Sequence, residues 1–216
     1  MAAPLTPSMG NPLSNPPSNP LGERFKESPS QTAGPYVHIG CTPNFLGIEG
    51  VYPEDLGTRM ITGNPDGERI TIKGRVIDGA GNALKDALIE VWQADAAGKF
   101  AGRGGAEGFA GWGRSPGDMT TGEFTFETVK PGRVPAPDGR PQAPHVTFWI
   151  VARGINLGLH TRMYFADEEA ANAEDPILTR IEHQSRVPTL LAKKEGGAYR
   201  FDIHLQGENE TIFFDI

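Results

Sequence analysis

The 216-residue chain holds 28 glycines, 19 prolines and one cysteine, and its formal charge is −7. That length suits one substantial domain plus a tail; the glycine and proline excess favours turns over long helices, and an acidic balance without any Lys/Arg run excludes a duplex-binding surface. Cys41 alone cannot make an internal disulfide, no apolar run approaches the ~20 residues of a bilayer span, and the start lacks the basic and apolar regions of a secretory signal, so a cytoplasmic location is expected.

Residues 1–29 are rich in Pro, Asn and Ser and show no apolar periodicity. Such a segment buries too little surface to offset its ordering entropy, which predicts an extension that is disordered or ordered only by a partner. The folded domain is expected to occupy residues 30–216. Its first stretch, Thr32 to Gly40, reads as a turn running into a short extended segment. Residues 41–68 read as irregular, since Pro43, Pro53 and Pro65 each exclude an interior helix or strand position.

The segment from Arg69 to Asp95 organises the rest. Ile70, Ile72, Gly74 and Val76 alternate with polar residues, the period-two pattern of a half-buried strand. Asp78-Gly79-Ala80-Gly81-Asn82 supplies a tight reversal, and Leu88 to Trp92 is a short apolar run suited to a strand buried on both faces. The two strands are predicted to form a hairpin-like unit at the core of an antiparallel sheet. Glycines at 102, 104, 105, 108, 111, 113 and 117 then mark a loop, either a close approach to a ligand or partner, or a flexible connector. It lacks the spacing of a phosphate cradle.

Further strands are predicted at Glu123 to Thr128, His145 to Ala152, Leu159 to Phe165 and Tyr199 to Leu205. Helical signals are confined to residues 166–183, with Asp175 as cap, Pro176 in the first turn and Ile177, Leu178 and Ile181 on one face. Several short strands with Gly/Pro turns predict an all-β protein, an antiparallel β-sandwich with one or two short helices.

Candidate chemistry is sparse. Tyr36-x-His38 and His160-x3-Tyr164 each place an imidazole and a phenol on one strand face, donors that a hard trivalent metal accepts, but neither spacing is a metal signature. His145 reads as a packed, hydrogen-bonded histidine, with Thr147 where a second same-face imidazole would be needed. Cys41 has no accompanying His arrangement, and no G-x-S-x-G occurs. Glu90 and Asp95 need partners if buried and are expected to serve structural hydrogen bonds. Arg153 could present its fork to a carboxylate or simply be solvated.

Several blocks carry a more specific signal. G-R-V-x-D-G-x-G-N-x-L-x-D-A-x-I-E-V-W-Q-A-D at Gly74 to Asp95 resembles the core motif of the intradiol ring-cleavage dioxygenases. S-Q-T-A-G-P-Y-V-H-I-G at Ser30 to Gly40, A-P-H-V at Ala143 to Val146, A-R-G-I-N-L-x-L-H-T-R-M-Y-F at Ala152 to Phe165 and Y-R-F-D-I-H-L-Q-G-E-N-E-T-I-F-F-D at Tyr199 to Asp215 resemble the alpha-type chains of that family's two-chain members.

The resemblance implies an enzyme that cleaves a catechol between its hydroxyls with dioxygen, using ferric iron held by two Tyr and two His. At the positions matching those ligands this chain has Phe100, Val134, His145 and Thr147. Phe and Val offer no donor atom, so the resemblance implies a vestigial site without metal and a chain inactive alone. It further implies a homologous beta subunit that binds the Fe(III), in an alpha–beta heterodimer repeated within a larger oligomer, acting on 3,4-dihydroxybenzoate and O2. Thr32, Gly34, Pro35 and Tyr36 match a family segment that walls the beta chain's substrate pocket, and Arg153 matches an arginine near it. Two other readings stand beside this: a non-catalytic transthyretin-like interaction module, and an iron enzyme using Tyr36, His38 or Tyr164 from this chain alone.

Overall fold

The computed structural model describes residues 33–34, 36–156 and 158–215. They fall within one unit, Gln31–Ile216; the N-terminal extension, Thr32 and Pro35 lie outside the described residues.

Among the described residues nine strands run in chain order: β1 (Arg69–Ile77), β2 (Leu88–Trp92), β3 (Trp112–Pro116), β4 (Glu123–Val129), β5 (His145–Val151), β6 (Leu159–Phe165), β7 (Leu191–Glu195), β8 (Ala198–Arg200) and β9 (Ile203–His204). Their spatial order is β3-β2-β5-β6-β7-β8-β1-β4, with β9 also on β1. The path folds over itself so that β1 and β4 face β2 and β5. Ile72, Phe124 and Phe126 from one side, with Val91, Phe148 and Ile150 from the other, form one buried cluster. Phe148 is its hub, with ring centroids 5.8 Å from Phe124, 6.3 Å from Phe126 and 5.3 Å from Phe201, within the range where aromatic pairs attract. The β-sandwich follows from this burial: each strand covers one face of the other layer.

The predicted inward set of β1 is the observed one, because Ile70, Ile72, Gly74 and Val76 are the buried positions. The predicted pairing is not. β1 lies between β4, antiparallel, and β8, parallel, whereas β2 lies between β3 and β5. Asp78 to Asn82 does form a tight turn, with the Asp78 N–H donating to the Asn82 carbonyl at 2.9 Å, but it carries the chain from one layer to the other. The physical reason is that a strand has two hydrogen-bonding edges. Those of β1 and β2 are each filled by more distant segments, β4 and β8 on β1 and β3 and β5 on β2.

Four further elements depart from the sequence expectation. The stretch read as extended near residue 37 is a single helical turn, α1 (Val37–Cys41), with His38 buried beneath it. Trp112–Pro116, inside the glycine-rich stretch, is strand β3, where Gly113 admits the Met60 side chain that a Cβ would meet at 2.7 Å. Leu191–Glu195 is β7, which pairs parallel to β6 at Tyr164 and Phe165. The α-helix of the late segment is α2 (Glu169–Glu174). Asp175 does cap, its Oδ1 accepting from Ile177 and Leu178 N–H at 2.7 and 2.9 Å, but the turn it starts is 3-10, Leu178–Arg180.

One close approach fixes the junction of β8 and β9. The Phe201 N–H donates to the Lys73 carbonyl at 2.8 Å, and Arg75 N–H turns to the Asp202 carboxylate at 3.0 Å. The Phe201 carbonyl is thereby pressed against Gly74, where a Cβ would stand 1.8 Å away.

Candidate functional site

Two loops and one strand bring the predicted vestigial positions together. Asp95, buried at the end of β2, accepts backbone N–H donors from Ala97 and Lys99 on Oδ1 and from Ala106 on Oδ2, at 2.8 to 2.9 Å. This shapes the turn that presents Phe100. The Gly132 N–H donates to the Asp95 carbonyl at 2.8 Å, docking the Lys130-Pro131-Gly132-Arg133-Val134 loop alongside. The backbones meet because both contacts are glycines: a Cβ on Gly98 would be 2.1 Å from the Arg133 carbonyl oxygen, and one on Gly132 2.4 Å from that of Ala96. Phe100, Val134, His145 and Thr147 then line a single cavity of about 40 Å³ with Trp92, Gln93, Ala94 and Gly132. Trp92 pairs opposite Thr147 across β2 and β5, and Trp92 and Phe100 stay exposed.

His145 lies 2.8 Å through Nδ1 from the Ala143 carbonyl, so Nδ1 carries the proton of the neutral ring and Nε2 is the lone-pair nitrogen. Burial first, and the nearby Arg162 guanidinium second, push its pKa down to about 4. Its ring centroid lies 5.5 Å from that of Tyr164, whose phenol burial pushes up to about 12. Arg162 donates to Gln142 Oε1 at 2.7 Å, and Asp175 Oδ2 accepts the Ala143 N–H at 2.7 Å. The packed, hydrogen-bonded histidine expected from sequence is what stands there, within a polar cluster that holds the Ala143–His145 backbone.

The second group of predicted residues sits at another edge. Tyr36 is 76% exposed at the start of α1, and the Gly34 carbonyl accepts the Val37 N–H at 3.2 Å. Two internal contacts fasten this turn. Arg114, in an ion pair with Glu90, donates to the Cys41 carbonyl at 3.2 Å, and His38 Nε2 donates to the Asp86 carbonyl at 3.0 Å. Arg153, just past β5, is ion-paired through Nε with the Asp86 carboxylate. The chain therefore places α1 and Arg153 on the same loop residue, a link sequence reading missed. The β2–β5 register is the signal that finds it: Leu88 opposes Val151, so two positions further out Asp86 opposes Arg153.

The alternative donor pairs are not assembled. His38 spends its ring nitrogens on Asp86 and Thr42, while His160 and Tyr164 lie on β6 opposite Trp149 and His145. Among the described residues no group of three His, Cys, Asp or Glu side chains could hold a metal ion. None of their helices is long and apolar enough to cross a membrane.

The sandwich and this arrangement of loops define a class. The dioxygenase family profile matches residues 42–207, and the chain belongs to the intradiol ring-cleavage dioxygenase family, whose members use ferric iron. Within it, the chain is 46% identical over 198 residues to the protocatechuate 3,4-dioxygenase alpha chain of Pseudomonas putida, covering 89% of this chain and 98% of that one. It is also 35% identical over 182 residues to the protocatechuate 3,4-dioxygenase beta chain of Burkholderia cepacia, covering 73% and 76% respectively. In fold it is similar to catechol 1,2-dioxygenase from Pseudomonas arvilla C-1, with a TM-score of 0.55 and 22% identity over 69% of this chain and 56% of that one. The residues lining this cavity do not fit the family's ferric ion. Phe100 and Val134 have no donor atom, Thr147 offers a neutral hydroxyl, and one imidazole remains, where a hard trivalent cation requires several oxygen or nitrogen donors.

Proposed function

We propose that this chain is the non-iron alpha subunit of a protocatechuate 3,4-dioxygenase. It pairs with a homologous beta subunit that binds all of the Fe(III), in a heterodimer repeated within a larger cytoplasmic oligomer. The complex cleaves 3,4-dihydroxybenzoate with O2 to 3-carboxy-cis,cis-muconate, both oxygen atoms entering the product, as a step of aromatic catabolism. The observation that carries this reading is the donor set of the 40 Å³ cavity, Phe100, Val134, His145 and Thr147: the positions converge, and three of the four side chains offer neither imidazole nor phenolate. Similarity to both an alpha and a beta chain supports an assembly of two homologous subunits.

In this assembly the chain's contribution is to wall the beta chain's substrate pocket with Thr32, Gly34, Pro35 and Tyr36, and to set Arg153 near the substrate carboxylate. The exposure of Tyr36 and of Ile39, Phe45, Ile48, Val51 and Leu56 after it supports an interface on this segment. The deciding experiment is the visible spectrum and iron content of the chain purified alone and with its co-expressed partner. A colourless, iron-free chain that yields a coloured, iron-loaded complex is the expected result. Stoichiometric iron and colour in this chain alone overturn the reading.

A further inference from the structure

We propose that Asp86 is a positioning residue for substrate recognition: its carboxylate sets the Arg153 guanidinium while its backbone carbonyl sets the turn that carries Tyr36. The inference rests on the reading that Arg153 and Tyr36 belong to the pocket wall, and it adds the residue that fixes the two relative to each other.

The geometry begins with register. Leu88 opposes Val151 and Ile89 opposes Ile150 across the β2–β5 pairing, and all four are buried. Ile89 and Ile150 belong to the main core cluster while their neighbours Leu88 and Val151 do not, so a slip of one residue would exchange the two faces, and the core holds the register. Continued two residues past the strand ends, that register sets Asp86 opposite Arg153. A tight turn follows at once, with the Ile155 N–H donating to the Ala152 carbonyl at 3.2 Å and Gly154 in the left-handed region at φ +82°. Arg153 therefore leaves the sheet at a fixed point, beside a carboxylate.

The two partners are not equivalent. The Asp86 side chain is 23% exposed and that of Arg153 69%, so the acid is the held end and the guanidinium the presented end. The contact ties the fork at Nε, on a side chain that is otherwise largely exposed. An arginine already tied at one nitrogen loses less rotational freedom when a carboxylate binds in the paired mode. The neighbouring Asp86 charge opposes an incoming anion, an effect that the water around the exposed Arg153 weakens. In the proposed role, orientation is the larger of the two effects.

The second arm is the backbone. His38, 5% exposed, donates from Nε2 to the Asp86 carbonyl at 3.0 Å, and its Nδ1 lies 3.3 Å from Thr42 Oγ1. The Gly40 N–H returns to the Tyr36 carbonyl at 3.1 Å. A displacement of residue 86 would move the guanidinium and the Tyr36 turn together.

The test uses the co-purified complex of this chain with its iron-bearing partner, carrying Asp86→Asn or Arg153→Ala. Binding of 3,4-dihydroxybenzoate and of catechol, which lacks the carboxylate, is titrated without oxygen through the ferric charge-transfer absorption, and KM and kcat are measured for both. Asp86→Asn keeps the backbone carbonyl and removes the charge. It is expected to weaken 3,4-dihydroxybenzoate binding roughly three- to tenfold, leaving catechol binding and kcat unchanged. Unchanged or tighter 3,4-dihydroxybenzoate binding, or equal weakening of both ligands, overturns the positioning role if Arg153→Ala still abolishes discrimination between them. If Arg153→Ala also leaves discrimination intact, the pocket-wall reading of Arg153 falls with it.

Discussion

Glu90 and Arg114 oppose each other across the β2–β3 pairing. Arg114 Nε donates to Glu90 Oε1 at 2.7 Å, and Nη2 lies 2.6 Å from the same oxygen. The side chains are 9% and 17% exposed, and the guanidinium also stacks over Trp112, 5.2 Å from the ring centroid. Removing one partner leaves the other charge in a poorly solvated place. Glu90→Ala is expected to cost about 3 kcal/mol, read as a lowered urea midpoint. The double change Glu90→Leu with Arg114→Met is expected to cost less than Glu90→Ala alone, since no orphaned charge remains; a larger cost would mean that the pair is net stabilising.

Gly74→Ala tests the close approach of β1 to the β8–β9 junction. Its Cβ would meet the Phe201 carbonyl oxygen at 1.8 Å and the Phe124 ring at 2.6 Å. Backbone cannot rotate away as a side chain can, so we expect a loss of about 3 kcal/mol or more. Gly81→Ala makes no such contact and is expected to show only the cost of its positive φ, about 1 kcal/mol. Comparable thermal midpoints for the two variants would contradict this account.

His145 gives the domain a pH dependence with a defined sign. Its pKa in the folded chain is about 4 against an ordinary 6.5. Between those values the unfolded chain binds a proton that the folded chain refuses, so stability rises with pH across this window. As pH falls from 6.5 towards 4, the imidazole is expected to cost up to about 3 kcal/mol, with no further loss from this group below that. His145→Gln should flatten that part of the profile of unfolding free energy against pH. An unchanged slope in the variant would assign the dependence to other groups.

Lys130 is a cation set among aromatic rings. Its Nζ lies 5.3 Å from the Phe165 centroid and 5.7 Å from that of Tyr199, with Glu168 at 2.6 Å and Asp167 at 3.2 Å. Burial opposes its charge, but the two carboxylates outweigh that and hold the ammonium above the ordinary lysine range. Lys130→Met is expected to cost about 2 kcal/mol. Arg59→Ala, which removes a pair exposed at 69% and 47%, is expected to leave stability nearly unchanged. Equal losses in the two variants would argue against a special role for the rings.

Alternation alone made much of the sandwich legible. β1, β4, β5 and β6 lie within a residue of the predicted strands, because each has a buried face and period-two patterning reports burial directly. The same rule hid β3, since Trp112-Gly113-Arg114-Ser115-Pro116 looks like loop and becomes a strand only by completing the free edge of β2 and letting Met60 reach Gly113. α1 was hidden for a related reason. Val37–Cys41 has no helical pattern of its own, and its turn is held by Asp86 and Arg114 from distant parts of the chain.

By itself the sequence determined which positions face the core, and which donor atoms exist at Phe100, Val134, His145 and Thr147. Those properties belong to individual side chains and survive any arrangement of the backbone. Only the tertiary structure decided that β1 and β2 would not pair, that these four positions would share one cavity, and that Asp86 would stand across from Arg153. Each of these depends on which strand edge pairs with which, and in what register. That choice is set by the summed burial of residues far apart in the chain, and local pattern does not encode it.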